Sequence, residues 1–315
     1  RNPRFVRAAI GRAAGRVQAH ERVGAADSLR VAVAPAETLQ VTRFGEGPPV
    51  LLVPGVFGSA FGFRKLAAHL TEAGLQSVVV EPLGIGAATR PRYADYSLTA
   101  QADRIAAVLD SLALRDVIVV AHSLGGSIAL RLAYRRPDLV RAVVSLEGGP
   151  AESASITCLR SVSRYSGLIK LFGAGAARRK FRDTLIKASG DPSWVTDSVV
   201  ERYTTGPERD LGAMLRVISL MVAAVEPEPL EPRLREVQCP VHLMIGLAPH
   251  PETVKAEEIE RLRRNLQAFA IDSVPGAGHH LHEERADAVA RLIVQVHATT
   301  PPAVIVAGTG PRPHP

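Results

Sequence analysis

Cysteine is nearly missing from this chain of 315 residues: Cys158 and Cys239 are the only two. They are too few for a disulfide framework and too far apart for a metal-binding pair. Aromatic residues make up only 4%, with a single tryptophan. The net charge of +7 therefore comes without the stacking rings that a nucleic-acid surface uses, and the arginines are spread along the whole chain. Lysine is scarce as well: Lys65, Lys170, Lys180, Lys187 and Lys255 are all there are. No apolar run approaches the ~18 residues needed to cross a bilayer. No Gly-rich phosphate loop, nicotinamide fingerprint or metal spacing occurs. No cofactor, no metal and no nucleic-acid partner are expected, and the cytosol is the expected compartment. With Arg1 and not Met as first residue, a removed leader is the alternative. The basic, alanine-rich stretch from Arg1 to Arg22 is expected to form a surface helix, with membrane-surface contact as the second reading.

Valine-rich runs recur with helix-length stretches between them. Val50 to Val53, Ser77 to Val80, Val117 to Val120, Ala142 to Leu146, Val241 to Ile245 and Ala268 to Val274 read as strands buried on both faces. Apolar periodicity predicts helices over Ala60 to Ala73, Leu98 to Leu112, Leu124 to Tyr134 and Arg285 to Val296. Each parallel strand needs a long crossover, so the alternation predicts an α/β fold with a doubly wound, mostly parallel sheet. Leu29 to Val33 and Thr38 to Arg43 read as an antiparallel edge hairpin. Between Leu146 and Val241 the alternation gives way to helical patterning. The expected division is a basic extension over 1–36, a core over 37–149 and 237–298, a helical cap over 150–236 and an unstructured tail over 299–315.

The stretch Val117-Ile118-Val119-Val120-Ala121-His122-Ser123-Leu124-Gly125-Gly126 carries the chemistry. A strand runs straight into a helix, with Ser123 at the apex and the small residues Ala121 and Gly125 on either side. Strand and helix approach closely at such a turn, which strains the serine and leaves the Leu124 NH facing a developing oxyanion. A serine hydroxyl needs an imidazole to take its proton. Ten histidines compete, and His122, beside the serine, reads as part of the site wall.

The small-x-Ser-x-Gly turn in this setting resembles the α/β-hydrolase fold family, in its cap-bearing branch of esterases, dehalogenases and epoxide hydrolases. The resemblance runs from Glu37 to Ala298. It includes Val53-Pro54-Gly55-Val56-Phe57-Gly58-Ser59, similar to the family's oxyanion loop with proline in place of histidine. It implies that the Val56 NH joins Leu124 in the oxyanion hole, and that His279, in Pro275-Gly276-Ala277-Gly278-His279-His280, is the base, with His280 second. The usual acid position, after Ile245, reads Gly246-Leu247-Ala248-Pro249-His250-Pro251 and holds no carboxylate before Glu252. Some relatives take the acid from the preceding strand end, where Glu147 stands. Glu147 is therefore the expected acid, and Glu252 the alternative.

With serine as nucleophile, the resemblance implies acyl-enzyme hydrolysis of a carboxylic ester, the partner being a small apolar acyl substrate. Carbon–carbon bond hydrolysis, lactone opening, acyl transfer and a non-hydrolytic small-molecule receptor use the same groups. Phe57, His122 and Trp194 are expected beside the substrate, with Leu168, Leu171, Phe172, Leu220, Met221 and Val222 as further apolar candidates.

Overall fold

The computed structural model describes residues 16–23, 26–164 and 166–302. Strands β1 (Arg16–Val23), β2 (Ala26–Ala34) and β3 (Glu37–Phe44) are followed by β4 (Pro49–Val53), α1 (Arg64–Glu72), β5 (Gln76–Glu81), α2 (Leu98–Ser111) and β6 (Val117–His122). Next come α3 (Leu124–Arg135) and β7 (Val140–Leu146). A helical insertion holds α4 (Thr157–Arg164), α5 (Ser166–Lys187), α6 (Asp197–Arg209), α7 (Leu211–Ala223) and α8 (Leu230–Arg233). The chain closes with β8 (Val241–Gly246), α9 (Ala256–Asn265), β9 (Phe269–Val274), α10 (Leu281–Glu284) and α11 (Ala286–Thr299). The expected tail falls almost wholly outside the described residues.

The strands form one sheet in the order β1-β2-β3-β5-β4-β6-β7-β8-β9. From β5 to β9 neighbouring strands are parallel, and β1 to β3 add an antiparallel edge. The valine-rich patterning has its reason here. On β6, Val117, Val119 and Ala121 pack into the core on one face of the sheet, while Ile118 and Val120 pack into the core on the other. Burial on both faces demands an apolar residue at every position.

The expected surface helix over Arg1 to Arg22 is contradicted from Arg16 onward, and residues 1–15 lie outside the described residues. Residues Arg16–Val23 pair antiparallel with β2, and the sheet thus starts well before Glu37. The outer edge of β2 offers a row of unpaired backbone groups, and the ladder made there satisfies them and outweighs local helical preference.

Strand order fixes where chemistry can happen. From β4 the chain crosses to β5 on one side and then returns to β6 on the other, so the crevice beyond the carboxyl ends of β4 and β6 is a topological switch point, the usual ligand position in such sheets. Register aligns the ends: Val53 lies beside Ala121, His122 beside Leu146, Leu146 beside Met244 and Gly246 beside Val274.

Both junctions of the insertion are tied to one buried cation. The Arg131 guanidinium, on α3, donates to the carbonyls of Ser127, Ala151 and Glu152 and to Thr99 Oγ1. It also lies 3.4 Å from Glu226 Oε2, with the two side chains 1% and 8% exposed. Glu226 accepts from the NH groups of Leu98 and Thr99, and Glu152 from those of Leu230 and Glu231. Replacing Arg131 by Leu leaves the Glu226 carboxylate buried without its cation. A loss of about 3–5 kcal/mol is expected, read from the urea dependence of unfolding.

Candidate active site

Ser123 sits where β6 turns into α3, with φ 53° and ψ −125°. A non-glycine residue held in that region costs about 1–3 kcal/mol, so the surroundings must impose it. They do so from both sides: the Ser123 NH donates to the Leu146 carbonyl on β7, and the Ser123 carbonyl accepts from the Gly126 NH. Its side chain does not cap the helix. Among the described residues, Ser123 Oγ has no hydrogen-bond partner, which leaves it available as a nucleophile.

Close approach explains the small residues. A Cβ on Gly125 would lie 2.9 Å from the Val53 carbonyl oxygen, and one on Gly148 only 2.4 Å from the Ser123 carbonyl oxygen. The helix can reach the end of β4 only without a side chain at 125. Val56 and Leu124 line one narrow pocket with Pro54, Ile85, Tyr96 and Met221. The two residues expected to supply oxyanion donors thus border a common apolar space.

Glu147 lies at the end of the next strand, buried, with φ 50°. Its NH donates to the Met244 carbonyl, and its Oε1 accepts from the Gly246 NH at 2.5 Å. The carboxylate is thereby fixed toward β8. His279 follows β9. Its NH donates to the Ala188 carbonyl of the insertion, and its own carbonyl accepts from His122 Nε2 at 2.9 Å. That bond fixes the proton of His122 on Nε2 and holds the His279 loop against the Ser123 turn. Glu284 adds a clamp, accepting from Gly278 on the base loop and from Gly190 and Asp191 of the insertion.

The imidazole of His279 faces two acids by different routes. Its Nε2 is 3.3 Å from Glu252 Oε2, and its Nδ1 is buried without a hydrogen-bond partner. A His279 ring nitrogen, a Glu147 carboxylate oxygen and a His250 ring nitrogen all lie within 4.8 Å of one another. His250 Nε2 is 3.5 Å from Glu147 Oε1, an ion-pair distance too loosely aligned to count as a hydrogen bond. His250 was noticed in the sequence only as a neighbour of the usual acid position. Its approach depends on the 247–252 loop folding back over the end of β7, and no local pattern signals that.

The other expected residues fall around this centre. His280 stacks near Trp194 and His122, with ring centroids 5.3 and 5.4 Å away. Trp194 belongs to the insertion's own core with Leu185, Val200 and Tyr203, and its Nε1 donates to Ser189 Oγ. Phe57 meets Phe181 of α5 edge to face at 5.9 Å. Of the insertion's apolar candidates, Met221 reaches the pocket beside Val56 and Leu124. Leu220 and Val222 pack against the main core. The side chains of Leu168, Leu171 and Phe172 lie outside the described part of α5.

Buried His122, His279 and His282 and half-buried His280 form one aromatic cluster, with His122 at its centre, 4.5 Å from His282 and 4.7 Å from His279. Burial disfavours the charged imidazole, so His122 titrates at about 4 in place of 6.5, and the other three are pushed down as well. The unfolded chain then binds more protons than the folded one between pH 6.5 and 4. Stability is full above the unfolded value and is lost as pH falls through that window, by about 3 kcal/mol from His122 alone. The urea midpoint should drop steeply from pH 7 to pH 4.5, with a shallower drop in His122→Gln; equal slopes would contradict this account.

A family model described as the alpha/beta hydrolase fold matches residues 48–170. The chain is 27% identical over 251 residues to a 2-(acetamidomethylene)succinate hydrolase of Mesorhizobium japonicum, covering 78% of this chain and 86% of that protein. It is 24% identical over 247 residues to an sn-1-specific diacylglycerol lipase of Xenopus laevis, covering 76% of each. Among solved structures, the epoxide hydrolase CorEH superposes with a TM-score of 0.74 at 16% identity, over 87% of this chain and 99% of that one. No described helix is long and apolar enough to cross a membrane.

Proposed function

Because the chain belongs to the α/β-hydrolases, we propose that it cleaves a carboxylic ester through an acyl-enzyme on Ser123. The observation that carries this reading is the strained, uncapped Ser123 at the turn from β6 into α3. His279 Nε2 takes the proton of Ser123 Oγ as the oxygen attacks the ester carbonyl. The tetrahedral oxyanion is held by the NH groups of Val56 and Leu124. His279 then gives its proton to the departing alcohol, and water releases the acid by the same steps in reverse. An aspartate at position 123 would form an alkyl ester in dehalogenation or epoxide opening, so serine favours acyl chemistry.

Glu147 is assigned as the acid. A base must keep Nε2 for serine and have Nδ1 held from behind. Glu252 approaches Nε2, the working nitrogen, while the buried Nδ1 lacks a partner and Glu147 is among the groups gathered around the ring. The apolar side chains gathered beside Val56 and Leu124, Met221 among them, favour an apolar acyl group. The helical insertion then serves as the cap, and Met221 as its contact with substrate.

A fluorophosphonate should label the protein at one residue, and Ser123→Ala should abolish the label; a label that survives the substitution removes the basis of the reading. On short p-nitrophenyl esters, Glu147→Gln should lower kcat by about 10²–10⁴-fold with little change in KM. Glu252→Gln should cost less than tenfold. The reverse order would move the acid to Glu252.

A further inference from the structure

Glu147, His250 and His279 bring three potential ligand side chains to one place. Glu147 and His250 have fully buried side chains, and that of His279 is 5% exposed. Glu147 Oε2, both ring nitrogens of His250 and Nδ1 of His279 are buried without a hydrogen-bond partner. Buried polar atoms are nearly always satisfied, so four such atoms in one cluster call for an explanation. Hydrogen bonds among them cannot supply it in full, because the 3.5 Å between Glu147 Oε1 and His250 Nε2 is poorly aligned.

We propose that Glu147, His250 and His279 form a binding site for a divalent cation of the Zn²⁺ class, and that its occupation blocks the base. Two imidazoles and one carboxylate are the donors that Zn²⁺ and Cu²⁺ favour, whereas Ca²⁺ and Mg²⁺ require more oxygens than are present. Zinc holds nitrogen and oxygen ligands at about 2.0–2.2 Å, which places tetrahedral ligands about 3.3–3.6 Å apart. Glu147 and His250 already have that spacing. The remaining gaps, at most 4.8 Å, close by side-chain movements of about 1 Å.

The outer contacts match as well. A metal-binding histidine commonly donates its second ring NH to a carboxylate, and His279 Nε2 lies 3.3 Å from Glu252 Oε2. With the cation on Nδ1, the neutral imidazole carries its proton on Nε2 and donates it to Glu252. Nε2 then has no lone pair for the proton of Ser123. Glu252, 28% exposed, marks the side on which an ion enters. The cation acts here as an inhibitor, and the blocking step, though not the binding, rests on the hydrolase reading.

The test uses the full chain stripped with EDTA and desalted, with ZnCl₂ as the probe. Calorimetry should give one tight site, and His250→Asn and Glu147→Gln should each weaken it at least tenfold, whereas His280→Asn should leave it unchanged. Zinc should suppress fluorophosphonate labelling of Ser123, EDTA should restore it, and labelling of folded His250→Asn should persist in zinc. Should either variant fail to fold, Cu²⁺ bound to the unsubstituted chain should show electron paramagnetic couplings to two imidazole nitrogens. No zinc binding below ~1 mM, binding indifferent to both substitutions, or coupling to fewer than two nitrogens overturns the site. A protein that binds zinc as described but never labels keeps the site and loses the hydrolase.

Discussion

The rest of the site depends on the turn at Ser123, whose backbone is held in a left-handed conformation by the strand beside it. The Leu146 carbonyl takes the Ser123 NH, and the pairing of His122 with Leu146 sets the two strand ends level. One residue further along β7, Glu147 repeats the device with its own positive φ and its own NH bonded to Met244 on β8. Each strand end therefore fixes the next, from β6 to β7 to β8. Two non-glycine residues in this conformation cost together about 2–6 kcal/mol, and only a sheet buried on both faces supplies enough packing to hold them.

Above this row the insertion is fastened at three places, each by a carboxylate. Arg131 with Glu226 and Glu152 fixes both of its junctions. Glu284 joins its 190–191 turn to the base loop. Glu283, buried beside Arg64 and Lys65, accepts from Tyr203 of α6 at 3.0 Å. Glu283 and Glu284 lie on the short helix that follows the base loop, so His279 cannot move far without disturbing the insertion. The His279 loop is thereby coupled mechanically to the insertion.

How much of this was legible in the sequence depends on the range of the interactions. The strand, turn and helix around Ser123 were, because all three are encoded within ten residues and the small neighbours follow from the same close contact. The parallel strands were, because burial on both faces leaves an unbroken apolar run. Arg16–Val23 was not, since so short a stretch takes whichever backbone partner is offered, and the edge of β2 that it pairs with is not part of its own local pattern. His250 was missed for the same reason. Its approach to Glu147 joins residues about a hundred positions apart, through a loop with no periodicity to read.

The two acids near His279 are best understood through the atoms they approach. Glu147 is held by the backbone of β8, so its position is set by the sheet and cannot follow the imidazole. Glu252 stands on a surface loop and is partly exposed, and in water a carboxylate contributes little to holding an imidazole. A buried carboxylate in a low-dielectric site stabilises the imidazolium formed in the transition state far more strongly. His250 complicates this arrangement, because it lies against Glu147 and shares the field that would act on His279. The buried carboxylate thus stands against two imidazoles at once, and a contact that orients one leaves it less able to orient the other.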